Sequence, residues 1–504
     1  MSNGAPPAPN LAAFEFPVRP KGRIDSTSLE GLRGVASVWI MVFHCVIYSA
    51  YPVDLQGSSI MPLFFVLSGF SMQLAYGKDA SDMAVWCSSA YKSFVQNRFA
   101  RTYPTYLATM LFAAPLWYLG YYGTGSMSVF AESLVASTLL ISTAVAFQLG
   151  GPPIDGPGWT VCTLFFFWLY FPRSAKNARS MSASELAHGV VGHFWWQAVL
   201  VLGIFFLTLP LFGWGGAFSL ATMLPWTRYP CFLMGVYAGE LCLRTTDSAL
   251  LWPQAVFWFF PLWGSGNSAR WLPQDKTRSA DKSYWAEIAD VSSLVLLVIT
   301  ALTIGVDSYF YFARGFGGLG GLWLQAFAPF LQLTVVVALA RDSDPRGRAG
   351  RFLRHPRLLW LGQLSMSLYL VHHPVIYYVV WLHNCLGSRG LCGPITVPTS
   401  THCSDDHNAG TPAYEKCKHE VHGYLRAETV PMWAVPVVCA VAVPLAFLLF
   451  WYVEEPGRRA LRAKASGPPR PAAAVAAPSA PVEAEVEAGG YSPLLPDDVN
   501  LSVK

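Results

Sequence analysis

Apolar stretches of bilayer length recur along almost the whole chain. One helical crossing needs roughly 17–25 residues, and candidate runs lie near 29–50, 58–76, 102–120, 129–148, 194–213, 220–243, 288–306, 319–341, 358–384 and 432–453. An eleventh run, Gly158–Pro172, is short and follows Pro152, Pro153 and Pro157. It is expected to be re-entrant or interfacial. The pattern predicts an all-α, polytopic transmembrane helical bundle of about ten spans. The segment Leu250–Trp263 is too short and too broken by proline to cross, and is expected at the interface.

Orientation follows from Lys and Arg in short loops. Basic clusters fall at Lys21/Arg23, Lys78–Arg101, Arg173–Arg179, Arg270–Lys282, Arg341–Arg357 and Arg458–Lys464. Placing all of them in the cytoplasm puts both termini there and demands an even number of crossings. Three runs lie between Arg101 and Arg173, so one must turn back, and Gly158–Pro172 is the weakest. The expected location is a multi-pass position in the plasma membrane or an endomembrane. Residues 1–27 form a polar leader without the apolar core of a signal peptide. Residues 463–504 are poor in bulky apolar side chains, and both ends are expected to be disordered and cytoplasmic. The membrane domain spans 28–462.

Composition narrows the function classes. Of 504 residues, 53% are hydrophobic and only 13% charged, about half the usual charged share. That excludes a soluble enzyme, a disordered scaffold and a fibrous repeat protein. The net charge of +4 is too small to argue for nucleic acid as a partner; the bilayer is the partner that composition implies.

The ten cysteines split in two. Cys45, Cys87, Cys162, Cys231, Cys242 and Cys439 lie in or beside spans, as apolar packing residues do. Cys385, Cys392, Cys403 and Cys417 share the polar loop 385–431, which the orientation places outside the cytoplasm. Two disulfides are expected there, with three pairings open. His402, His407, His419 and His422 in the same loop make zinc the alternative, but bridges are preferred and no metal centre is expected.

The first span, Ser28–Ala50, carries the ionisable pair Arg33 and His44, eleven positions apart. At about 100° per residue they share one face within about 20°, roughly 16 Å apart along the axis. Ionisable groups at such depth normally face a polar cavity. Singly, Arg33 reads as a snorkelling anchor and His44 as a packed interhelical histidine. As a pair they describe a channel with a cationic mouth and a base at its depth. The second span holds Ser68-Gly69 within Pro62–Phe70, a small-residue packing point rather than a nucleophile with a local base. Arg98 and Arg101 are three apart and therefore neighbours on one face. A positive-inside anchor explains two arginines; a bidentate phosphate clamp explains why they share a face.

Taken together these elements resemble the acyltransferase-3 family of multi-span membrane acyltransferases, whose bacterial members O-acylate cell-surface sugars. Arg33 and His44 match its first-span pattern. Phe64–Phe70 matches Phe-Phe-x-x-Ser-Gly-Phe, and Arg98/Arg101 matches Arg-x-x-Arg. Ser365–Pro374 is similar to the family's Ser-Tyr-Ser-Leu-Tyr-Leu-x-His element, with Met366 replacing Tyr, and Glu454–Pro456 is similar to its closing Glu-x-Pro. There is one departure. Where the family often has Trp-Ser-Leu followed by Glu, this chain runs from Trp159-Thr160 to an apolar Leu164.

The resemblance implies a cytoplasmic acyl-coenzyme A, expected to be acetyl-coenzyme A, as co-substrate with no tightly bound cofactor. It implies a hydroxyl of a glycan, lipid or small molecule as acceptor. Arg33, Arg98 and Arg101 would hold the donor's phosphates, and His44, with Arg33, would be catalytic. Ser68, Gly69, Trp159, Ser365 and His372 are candidate cavity-lining residues, Ser68 or the Gly69 backbone serving an oxyanion. The competing readings are a transporter or flippase, a catalytically silent receptor-like member, and a membrane-bound O-acyltransferase whose late histidine His372 or His373 would mimic.

Overall fold

The computed structural model describes residues 24–47, 53–118, 127–143, 154–244, 282–314, 318–342, 347–386 and 433–465. Within them the chain forms twelve helices of eleven residues or more and no strand. These are α1 Thr27–Ile47, α2 Met61–Tyr76, α3 Ser89–Tyr118, α4 Met127–Thr138, α5 Trp159–Ser180 and α6 Ala183–Met223. The rest are α7 Pro225–Arg244, α8 Lys282–Arg314, α9 Leu319–Arg341, α10 Pro356–Leu386, α11 Ala434–Leu449 and α12 Glu455–Ala465. Six stretches are long and apolar enough to cross a membrane, as a membrane protein requires. The helices α3, α5, α7 and α10 also reach bilayer length, with 30, 22, 20 and 31 residues. They are more polar: α3 carries Arg98 and Arg101, α7 Arg228 and α10 His372 and His373.

Burial sorts centre from periphery. In α9, 83% of the apolar window is buried against protein, whereas in α8 the figure is 11%. Thus α9 is a core helix and α8 faces lipid. The 41 residues of α6 would run about 61 Å as one straight rod, twice the hydrocarbon thickness; Gly213, at φ 64°, breaks it.

The run Gly158–Pro172, expected to be re-entrant or interfacial, is helical from Trp159 as the first part of the 22-residue α5. Its prolines do not interrupt it. Pro157 lies in the 3₁₀ turn Gly156–Gly158 that leads into the helix, where a missing N–H costs nothing. The 129–148 run, expected to cross, gives among the described residues a long helix over Met127–Thr138, about 18 Å of axis; 144–148 fall outside them. The calls on Leu250–Trp263, on 1–23 and 466–504, and on Cys392, Cys403 and Cys417 fall outside the described residues. Cys385 lies in the last turn of α10. Among the described residues there is no disulfide, and the six other cysteines are free thiols; five are buried or half-buried, but Cys87 is exposed.

Two helix pairs set the frame, each by backbone-to-backbone approach at glycine. Between α1 and α10, a Cβ on Gly34 would stand 2.7 Å from the Leu358 carbonyl, and one on Gly362 would run into the Glu30 carbonyl. Between α2 and α7, Gly69 meets the Phe232 carbonyl and Gly235 the Val66 carbonyl. Buried polar groups are matched internally, as a bilayer demands. Asp307 of α8 accepts from the first amides of α9, Gly320 at 2.8 Å and Gly321 at 3.0 Å, and from Gln56 Nε2 at 2.6 Å. Arg228, fully buried, donates to the Thr222 carbonyl and to Gln325 Oε1, both at 2.5 Å.

Gly69→Ala and Gly235→Ala should each destabilise the purified protein by about 1–3 kcal/mol through overpacking, read as a lowered melting temperature. Gly203→Ala, with nothing within 4 Å of the new methyl, should not. Equal melting temperatures for all three would show that the α2–α7 approach is not a constraint.

Candidate active site

Five helices converge on one cavity, α5 among them through Thr160, Leu164 and Trp168. It is lined by Arg33 from α1, Ser68, Ser71 and Tyr76 from α2, Arg98 and Arg101 from α3, and Ser365 and Tyr369 from α10. Its volume is about 170 Å³. One water centre needs about 10–15 Å³, so the space suits a ligand chain rather than a lone solvent molecule. No Asp or Glu is among the lining residues.

The arginines bond to neutral groups, while Glu30 acts on Arg33 only through its field. Arg33 Nη2 donates to Ser71 Oγ at 3.1 Å. Arg98 Nη2 donates to Tyr76 Oη at 2.5 Å while its guanidinium lies over the Tyr76 ring, 4.8 Å from the centroid. The Arg98 Nε–H is buried without an acceptor. Arg101 is an electrostatic neighbour of both other arginines. Glu454, the nearby acid, feels Arg101 and accepts from Ser367 Oγ at 2.8 Å. It ends the π-helical turn Phe450–Glu454 between α11 and α12, one of the rare irregular turns that recur at functional sites.

Beyond the cavity lies a histidine group. His44 of α1 and His372 of α10 are 2.8 Å apart, Nδ1 to Nε2, and the His373 ring meets His44 edge-on at 5.6 Å. Tyr369 links the two regions: it lines the cavity, and its ring is 6.0 Å from that of His372. The proton positions follow from the acceptors. His372 Nδ1 faces the Leu368 carbonyl at 3.1 Å, which only an N–H can satisfy. In the neutral ring Nε2 then carries the lone pair, so His44 Nδ1–H is the donor between the rings. His44 is thereby left with its own lone pair on Nε2, the form a general base needs.

The structure brings Arg33, Arg98, Arg101, Ser68 and Ser365 to one cavity and sets His44 and His372 beyond it. It does not bring Gly69 or Trp159 to the cavity wall. The Gly69 backbone is covered by the Phe232 carbonyl, so it is a packing residue and not an oxyanion donor. Trp159 packs its ring on Phe65 at 6.0 Å. Leu164, at the expected acidic position, lines the cavity. Tyr76 was not singled out by sequence, and Glu454 was seen only as part of a motif. No local pattern marks Tyr76. The third histidine was visible in the His372-His373 doublet.

Comparison with known proteins gives this arrangement a context. A sequence profile described as an acyltransferase domain matches residues 26–451. Acyltransferase MdmB of Streptomyces mycarofaciens is 22% identical over 375 residues, covering 70% of this chain and 79% of its own length. No solved structure matches.

The interhistidine bond is testable without any substrate. A double-mutant cycle of His44→Ala and His372→Ala on unfolding in detergent should return a coupling of about 1 kcal/mol. Strict additivity would mean that the two rings are merely adjacent.

Proposed function

Because the chain belongs to the acyltransferase-3 family, we propose that this membrane acyltransferase draws an acyl group from acyl-coenzyme A at the arginine-lined cavity and passes it to a hydroxyl of a glycan, lipid or small-molecule acceptor. The observation that carries the reading is the set of three arginines around a cavity lined by no carboxylate. Guanidinium groups bind phosphate oxygens bidentately, and coenzyme A is polyanionic at its nucleotide end. Arg98, with a buried Nε–H still lacking an acceptor, is the strongest candidate contact. The slender pantetheine arm suits a cavity walled by Met61, Phe64, Phe65 and Trp168, with the thioester directed toward Tyr369 and the histidines.

In the proposed step, His44 Nε2 takes the acceptor's hydroxyl proton as its oxygen attacks the thioester carbonyl. The carbon–sulfur bond breaks, and the departing thiolate receives that proton, giving an ester and free coenzyme A. Ser68 is suited to an oxyanion because its hydroxyl is committed only to Met72 Sδ at 3.7 Å, a weak acceptor that is easily exchanged. Basic residues cluster at the arginine end of α3 and α12, which by the positive-inside rule supports a cytoplasmic mouth for the donor.

The direct test is mass spectrometry of acylated products in cells with and without the protein, with binding of radiolabelled acetyl-coenzyme A to the purified chain. Two variant series sharpen it. His44→Ala should lower kcat by at least about 10²-fold, the smaller end of general-base effects, and leave donor affinity unchanged. Normal turnover would return His44 to a packing role. Arg98→Ala and Arg101→Ala should raise the donor KM by about ten- to a hundredfold, the equivalent of one charged hydrogen bond. Arg98→Lys should not restore it, since an ammonium offers neither the fork nor the planar stack on Tyr76. Wild-type donor affinity in the Lys variants of both positions would rule out a specific phosphate clamp.

A further inference from the structure

The closing helix α12 lies against α3, the helix that carries Arg98 and Arg101, and runs antiparallel to it. Near its start Gly457 meets Pro104, where a Cβ would stand 2.7 Å from the ring carbons. One turn further on, the Leu461 carbonyl accepts from Gln96 Nε2 at 3.3 Å. The next residue is Arg462, an electrostatic neighbour of Arg98. Arg462 is half-buried and does not line the cavity. It stands outside the enclosure, on the Arg98 side.

That place matters for a donor built in two parts. The slender pantetheine arm enters the cavity. The adenosine end, with a phosphomonoester on its 3′ carbon, is too broad for the same enclosure of about 170 Å³ and stays at the mouth. A phosphomonoester carries a charge of about −1.5 to −2 at neutral pH, and a guanidinium binds its oxygens bidentately.

We infer that Arg462 binds the 3′-phosphate of the coenzyme A nucleotide and so sets a preference for coenzyme A over donors that lack this group. This rests on the donor reading above. It extends the donor site past residue 451, where the match to the acyltransferase profile ends, onto a helix that lends no residue to the cavity wall. Arg98 and Arg462 repel one another, and an anion shared by them relieves both. A thioester on pantetheine without a nucleotide gains nothing from Arg462.

The test compares acetyl-coenzyme A with acetyl-3′-dephospho-coenzyme A, by equilibrium radioligand binding to the full-length purified protein. The wild-type chain is expected to bind the dephospho donor about ten- to a hundredfold more weakly, the equivalent of one charged hydrogen bond. In Arg462→Ala the affinity for acetyl-coenzyme A falls by that factor, the affinity for the dephospho donor stays, and the preference disappears. Arg459→Ala removes the same charge from the same helix, at a side chain that is 73% exposed and bonds Glu455. It should keep the preference. Arg462→Gln carries the Ala expectation should the Ala variant fail to accumulate as a monodisperse protein. Equal binding of both donors by the wild-type chain, a preference kept in the Arg462 variants, or one lost equally in Arg459→Ala overturns the assignment. Adenosine 3′,5′-bisphosphate separates this inference from the donor reading. If the wild-type chain binds it, the Arg462 variants do not, and acetyl-coenzyme A binds to none, Arg462 keeps its phosphate and the donor reading falls. No binding of either ligand by the wild-type chain overturns both.

Discussion

A guanidinium cannot shed its charge by giving up a proton, and inside a helical bundle it has little water to lean on. Three of them share the cavity between α1, α2 and α3. The fold meets the constraint by partial measures: a serine hydroxyl and the field of Glu30 for Arg33, a phenol and its ring for Arg98, and for Arg101 the field of a carboxylate that already holds Ser367. None of these fully balances a positive charge. Leu164, apolar where the family pattern expects an acid, adds no counter-charge to the wall. The residual attraction for an anion is a property of the whole enclosure, not of one side chain.

Holding like charges together needs rigid support, and the glycine contacts supply it. With no side chain between α2 and α7, or between α1 and α10, the backbones lie too close to slide. That approach lines up the arginine end of α1 with Ser365 and the histidine end with His372. Peripheral helices such as α8 contribute mainly lipid-facing surface.

Much of this could be read from one dimension. Arg33, His44, Arg98 and Arg101 were legible because a fixed rotation per residue turns sequence spacing into a shared face. Their convergence was not, since it depends on which helices pack together. The His44–His372 bond joins residues 328 positions apart, beyond any periodicity. The continuous helix of α5 was legible only in part, because proline before a helix and proline inside one look alike in sequence. Gly69 was correctly seen as small, but size alone does not say whether a glycine admits a substrate or a neighbouring backbone.

The Leu368 carbonyl has an effect that reaches past its own helix. By fixing the proton on His372 Nδ1, it gives the histidine pair a single sense and closes its far end. A proton collected at His44 Nε2 has no onward path through His372, whose outer nitrogen is already tied to the backbone. In the proposed reaction it must return to the departing sulfur within the same turnover. Chemistry of that kind takes up and releases no net proton.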